Sequence, residues 1–171
     1  MPANAIVSIL GTLAEARVRY VVVGGVAVVL HGHLRFTADL DLVLALDATN
    51  VLAALSALKT LGFQPRAPVQ ADQFADPAVR ASWIREKGLV VFSLWSPSYP
   101  GTDVDIFAEE PIPFAELSAR AKTADLPDLS VPIASIPHLI AMKRTAGRPM
   151  DLADIAALER IELSLSSDEE T

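Results

Sequence analysis

Hydrophobic positions recur along the chain in two periods, and the switches between them lay out its elements. Ala, Ile and Leu at helical spacing over residues 4–16 predict an amphipathic helix. Residues 19–23, with Tyr20 followed by three valines, read as a buried strand ended by Gly24 and Gly25. A short helix over 26–30 leads into His31 and Gly32, and a second strand covers 40–46. Asp47 is placed to cap a helix over 48–61, where Val51, Leu55, Leu58 and Leu61 share one side and Gly62 stops the winding. A short strand at 63–65 and a loop at 66–74 precede a helix over 77–87, begun by Pro77 and closed by Gly88. Strands at 89–95 and 102–107 flank a turn at 97–101 and are expected to pair antiparallel. A short helix over 111–120 follows, then two edge strands, 122–125 and 129–133, around Pro127 and Asp128. Ser135 is expected to cap a helix running to 145 with Pro137 in its first turn, and Gly147 and Pro149 separate it from a last helix over 151–163.

This order predicts an α+β fold: a small mixed β-sheet backed by helices, with a C-terminal helical pair. A length of 171 residues suits one domain over 1–163, with a core at about 19–134, helices at about 135–163, and an acidic flexible tail at 164–171. Hydrophobic residues make up 51%, ample for a core, yet no apolar run reaches the length of a membrane span. The N-terminus lacks the basic start of a signal peptide, so a cytoplasmic protein with no membrane partner is expected. Absence of cysteine excludes disulfides and thiolate metal sites. A net charge of −7 argues against broad electrostatic capture of nucleic acid, while leaving room for a local basic patch.

Candidate chemistry begins with Asp39 and Asp41, two residues apart in an apolar strand. Alternation places both on the face opposite Leu40, Leu42 and Leu44, a few ångströms apart. Like charges so close are unfavourable unless a cation sits with them, and a divalent metal is the natural candidate. The plainer alternative is a strand edge whose acids point to water. A second alternating pair follows in Asp103 and Asp105, and Asp105 or Asp103 joins Asp39 and Asp41 if its strand lies alongside. Three carboxylates on adjacent strands suit hard cations such as magnesium, which combine protein oxygens with substrate phosphates. Gly24-Gly25, between strand and helix, either lets backbone N–H groups approach a phosphate or simply makes a tight turn.

Gly24-Gly25, then Asp39-Leu40-Asp41, then Asp105 on a later strand together resemble the DNA polymerase β-like nucleotidyltransferase superfamily. The stretch GGVAVVLHGHLRFTADLDLVL and the C-terminal MKRTAGRPMDLADIAAL look like its small prokaryotic branch, which includes abortive-infection toxins and antibiotic nucleotidyltransferases. The resemblance implies a transferase moving a nucleoside monophosphate from an NTP to an acceptor hydroxyl. Asp39, Asp41 and Asp105 would be its catalytic metal ligands, and Asp105 would also be the base or orienter of the hydroxyl. It further implies two Mg2+ ions, with Mn2+ as a substitute, and Gly24 and Gly25 contacting the triphosphate. Gly25 departs from the serine found in many relatives and removes a hydroxyl donor. The acceptor stays open among a small molecule, a tRNA end and a protein side chain, as do the identity of the NTP, a toxin–antitoxin partner protein and the oligomeric state. The rival from another class is a non-catalytic nucleotide-binding or partner module of the same fold.

Arg35 and Thr37, just before the acids, are candidate phosphate donors, against a surface arginine and a strand-start threonine. Lys143 is a candidate point charge for the triphosphate, against a solvated helix lysine. With Arg144 and Arg148 it forms the one local basic cluster, a funnel for nucleotide. Asp151 and Asp154 read as helix-start acids pairing with Arg148 or Lys143. His31 and His33 are expected to be structural or solvent-facing, and Trp83 and Trp95 to be core, against the alternative of lining a base pocket.

Overall fold

Tyr20 to Val23 are buried at every position, which only a strand covered on both faces achieves. The computed structural model, which describes residues 3–168, places this strand inside a seven-stranded mixed sheet. The elements are α1 (Ala3–Glu15), β1 (Tyr20–Val23), α2 (Gly24–Leu30), β2 (Asp39–Leu44), α3 (Ala48–Thr60) and β3 (Gln64–Pro65). A 3-10 helix (Ala71–Ala75) precedes α4 (Pro77–Lys87), β4 (Val91–Trp95), β5 (Asp103–Phe107) and α5 (Phe114–Ala119). The chain ends with β6 (Lys122–Leu126), β7 (Leu129–Ile133), α6 (Ile136–Ala146) and α7 (Pro149–Asp168). The sheet order is β3-β4-β5-β2-β1-β7-β6. The expected mixed sheet, backing helices and C-terminal helical pair are all present.

Two parallel pairings organise it: β2 beside β5, and β1 beside β7. The remaining neighbours are antiparallel, including the expected β4–β5 pair. Strand β7 is not an edge as its shortness suggested. It lies between β1 and β6, and the Ala134 amide extends the ladder by donating to the Val22 carbonyl at 2.9 Å. Ser135 holds the N-cap position of α6, but its hydroxyl makes no capping bond.

One face of the sheet is apolar. Leu40, Leu42 and Leu44 of β2, Val104 and Ile106 of β5, and Phe92 and Leu94 of β4 are buried there. Phe92 stacks on Phe74 of the 3-10 helix at 4.5 Å and on Trp83 of α4 at 5.8 Å, so Trp83 is core. Buried Asn50 locks the strand ends above α3: it accepts from the Arg19 amide and donates to the carbonyls of Arg19 and Ala45. Its own amide is capped by Asp47, as expected.

The last helix outruns its expected end at Leu163 and carries residues 164–168 of the expected flexible tail as helix. The serines are accommodated within it. Ser164, Ser166 and Ser167 each donate to the carbonyl four residues back, so their hydroxyls are satisfied within the helix. Residues 169–171 of that tail lie outside the described residues.

Candidate active site

The alternation that buries Leu40 and Leu42 turns Asp39 and Asp41 to the other face of β2. Strands β2 and β5 run parallel in a register that pairs Asp39 with Asp103 and Asp41 with Asp105. Paired residues of neighbouring strands point the same way, so four carboxylates share one face of two strands about 4.8 Å apart. On the next strand Ser93 pairs with Asp105, and its side chain hydrogen-bonds the carboxylate.

Burial first, then the charges of Asp105 and Asp39, raise the Asp41 pKa to about 7 against the opposing pull of Lys143 and Arg148. Asp105 is also raised, by burial first and by Asp39 and Asp103 after it, against the hydrogen bond from Ser93 and the charge of Arg66. Asp105 Oδ1 is buried with no hydrogen-bond partner among the described residues. Asp103 is differently placed: Arg66 grips both its oxygens, Nε on Oδ2 and Nη2 on Oδ1 at 2.7 Å. Of the two acids on β5, therefore, Asp105 is the one left to share charge with Asp41.

The glycine pair meets these acids directly. Gly24 has φ +64°, a left-handed conformation, and a Cβ there would stand 2.7 Å from Asp41 Cγ and 2.9 Å from its Cβ. Glycine is thus required twice, by backbone and by the carboxylate against it. A Cβ on Gly25 would lie 2.6 Å from both Arg35 Nη2 and Thr37 Oγ1. The space a serine would need at position 25 is filled by the two side chains singled out as phosphate donors. The turn brings Gly24, Gly25, Arg35, Thr37 and Asp41 together, and it opens a helix of only seven residues.

Cations come from the α6–α7 corner. Lys143 is not a solvated helix lysine: it is buried, donates to Asp154 at 2.7 Å and lies 3.5 Å from Asp151. Asp154 also faces Arg35, whose Nε stands 3.1 Å from Asp154 Oδ1 without hydrogen-bond alignment. Asp151 accepts from the backbone amide and from Nε of Arg148, at 3.0 and 2.9 Å, the reach-back of a third helical residue to its cap. The expected basic cluster is divided. Lys143 and Arg148 act on Asp41, whereas Arg144 turns away to Glu159 at 3.2 Å. His31 is structural, its Nε2 bonded to the Ala134 carbonyl at 2.8 Å, and His33 is half-buried. Trp95 is half-buried on the carboxylate face rather than in the core: Leu94 pairs with Val104, which sets Trp95 beside Asp103.

The donor chemistry of the face suits a hard divalent cation: Asp105 presents a buried, unpartnered carboxylate oxygen beside Asp41, whose pKa stays raised in spite of Lys143 and Arg148. Among the described residues no three acidic or histidine side chains stand close enough to form a ready-made cage.

Three members of the face escaped sequence reasoning: Arg66, Asp103 as its partner, and Ser93. Arg66 sits in a loop with no motif, 37 residues from Asp103 in the chain. The one available signal was the antiparallel reading of β4 and β5, whose register would have aligned Ser93 with Asp105.

Solved structures with this architecture are nucleotidyltransferases. The lincosamide antibiotic adenylyltransferase LnuA, in its lincomycin-bound crystal structure, superposes with a TM-score of 0.64 at 18% identity, covering 92% of this chain and 96% of that one. ANT(2")-Ia in complex with adenylyl-2"-tobramycin gives 0.60 at 14% identity over 98% and 97%. A solution structure of ANT(2'')-Ia gives 0.61 at 12% identity over 98% and 91%. No curated protein matches the sequence. These likenesses define the fold as that of a nucleotidyltransferase. The family model described as nucleotidyl transferase AbiEii toxin, Type IV TA system, matches residues 9–170, and the chain belongs to that family.

Proposed function

We propose that this protein transfers a nucleoside monophosphate from an NTP to an acceptor hydroxyl with the help of bound Mg2+ or Mn2+, acting as the toxin of a toxin–antitoxin pair in the cytoplasm. The observation that carries the reading is the in-register pairing of Asp41 with Asp105 across two parallel strands, set against the left-handed turn at Gly24.

Asp39, Asp41 and Asp105 would hold the cation, which when bound stabilises negative charge on the phosphate oxygens. The Gly24-Gly25 turn, free of side chains, admits the triphosphate, and Arg35 and Thr37 beside Gly25 donate to it. Lys143 and Arg148 hold positive potential at the acids; Lys143 works through its field, since two carboxylates already engage its ammonium. Asp105 orients the acceptor hydroxyl and takes its proton, while the oxygen forms the new bond to the α-phosphorus and the bond to pyrophosphate breaks. The protein's contribution is position and electrostatics rather than covalent chemistry.

The test combines calorimetry with pyrophosphate release. Each NTP is titrated with Mg2+ into wild type and Asp41→Asn, and release is followed with candidate acceptors. One NTP is expected to bind wild type, and the variant is expected to release no pyrophosphate while keeping its fold. Undiminished release by Asp41→Asn refutes the role of the acids. Binding with no release over a broad acceptor set favours a nucleotide-binding module.

A further inference from the structure

The carboxylate face has two sides. Toward β1, the Gly24 turn, Arg35, Lys143 and Arg148 crowd Asp41. Toward β4 and β3, the sheet carries Ser93, Trp95, Asp103 and Arg66 around Asp105. An NTP held on the first side leaves the second for the acceptor, because an in-line displacement brings the attacking hydroxyl in opposite the leaving pyrophosphate.

What this second side offers is a cation. Arg66 follows the short strand β3, and its amide donates to the Ser93 carbonyl at 3.0 Å, which fixes the base of the side chain over β4. Asp103 then fixes the head through a two-pronged pair, leaving Nη1 with no partner among the described residues. The Arg66 side chain is 56% exposed while Asp103 is 20% exposed, so the carboxylate is spent inward and the guanidinium faces outward. Its charge also reaches Asp105 and Asp39. A guanidinium held in one orientation by a carboxylate has its remaining N–H groups aimed and its ordering entropy already met, the usual form of an anion-recognising arginine. A polycationic acceptor finds no unpaired acid here except those required for catalysis.

We propose that Arg66, oriented by Asp103, is an acceptor-side specificity residue that seats an anionic group, phosphate or carboxylate, adjacent to the hydroxyl presented to Asp105, with Trp95 as the flat surface beside it. The preferred acceptor is then an anionic hydroxyl compound. This rests on the nucleotidyltransferase reading above and adds the charge of the acceptor to it.

The experiment separates donor from acceptor. Calorimetry first identifies the NTP that binds with Mg2+; if none binds wild type, or if binding survives Asp41→Asn unchanged, it is the nucleotidyltransferase reading that fails. The protein is then saturated with Mg2+ and the α,β-methylene analogue of that NTP, which fills the donor side and cannot be turned over. Trp95 fluorescence, isolated in a Trp83→Phe background, is titrated with glycerol 3-phosphate, glycerate, glycerol and kanamycin. Binding of either or both anions at least tenfold tighter than glycerol and kanamycin is expected, and comparing the two tells phosphate from carboxylate. Arg66→Met should abolish that preference while NTP affinity stays equal or rises, since a cation near the metal-binding acids is removed; Arg66→Lys should recover part of it. Equal binding of all four probes, no binding of either anion, an anion preference that survives Arg66→Met, or a loss of NTP affinity in Arg66→Met overturns the proposal.

Discussion

Replacing Asp41 by asparagine should stabilise the metal-free protein while destroying its activity, and the gain should depend on pH in a defined way. Burial and two neighbouring carboxylates lift the Asp41 pKa from an ordinary 3.8 to about 7. Between those values the folded protein keeps a proton that the unfolded chain has released. Stability therefore falls as pH rises from about 4 to 7 and is level above 7, by about 1.4 kcal/mol per pH unit and about 4 kcal/mol in all. Asparagine removes this term. Relative to wild type, Asp41→Asn should gain under ~1 kcal/mol at pH 4, about 2 at pH 5.5 and about 4 at pH 8. At a urea dependence of about 2 kcal/mol per molar, the last is a midpoint shift of about 2 M. The assay is urea unfolding in EDTA at the three pH values. Adding Mg2+ at pH 8 should then raise the wild-type midpoint and leave the variant where it was. A variant equal to or less stable than wild type at pH 8 refutes the claim that the acids repel one another in the folded state.

Gly24→Ala should cost about 1–2 kcal/mol in backbone strain alone, and more through the displaced Asp41 carboxylate, with loss of NTP binding measured by calorimetry. Lys143→Met leaves buried Asp154 without its hydrogen-bonding cation and should destabilise by about 3–5 kcal/mol in urea; adding Asp154→Leu should recover part of that loss. Asn50→Leu strands the amide of Arg19 and two carbonyls and should cost about 2–4 kcal/mol, with pyrophosphate release at 20 °C retained because no site residue moves.

What could be read from the chain followed the range of each interaction. Asp39, Asp41 and Asp105 were legible because strand alternation converts two-residue spacing into a shared face, and Gly24-Gly25 because a glycine pair between strand and helix is a local signal. The parallel alignment of β2 with β5 is a property of the sheet, so which of Asp103 and Asp105 stands opposite Asp41 was not in the spacing. Lys143 was found as a charge near the site, but its burial between Asp151 and Asp154 depends on how α6 and α7 pack. Trp83 and Trp95 have the same composition signal and opposite fates, decided by which face of the sheet each meets. The end of α7 was misplaced because a run of serines reads as a breaker unless their hydroxyls bond back within the helix.

The pairing of Arg35 and Lys143 with Asp154 bears on the order in which the corner of the site assembles as the chain emerges. The acids and the glycine turn are encoded early, but the residue that holds both cations is on the final helix. A nascent chain lacking α7 has Lys143 without a carboxylate and the Arg35 loop without its anchor. Domains fold as units when their last packing element arrives. The order of assembly is therefore set within the chain: Arg35 and Lys143 meet their shared carboxylate only after α7 has packed against α6.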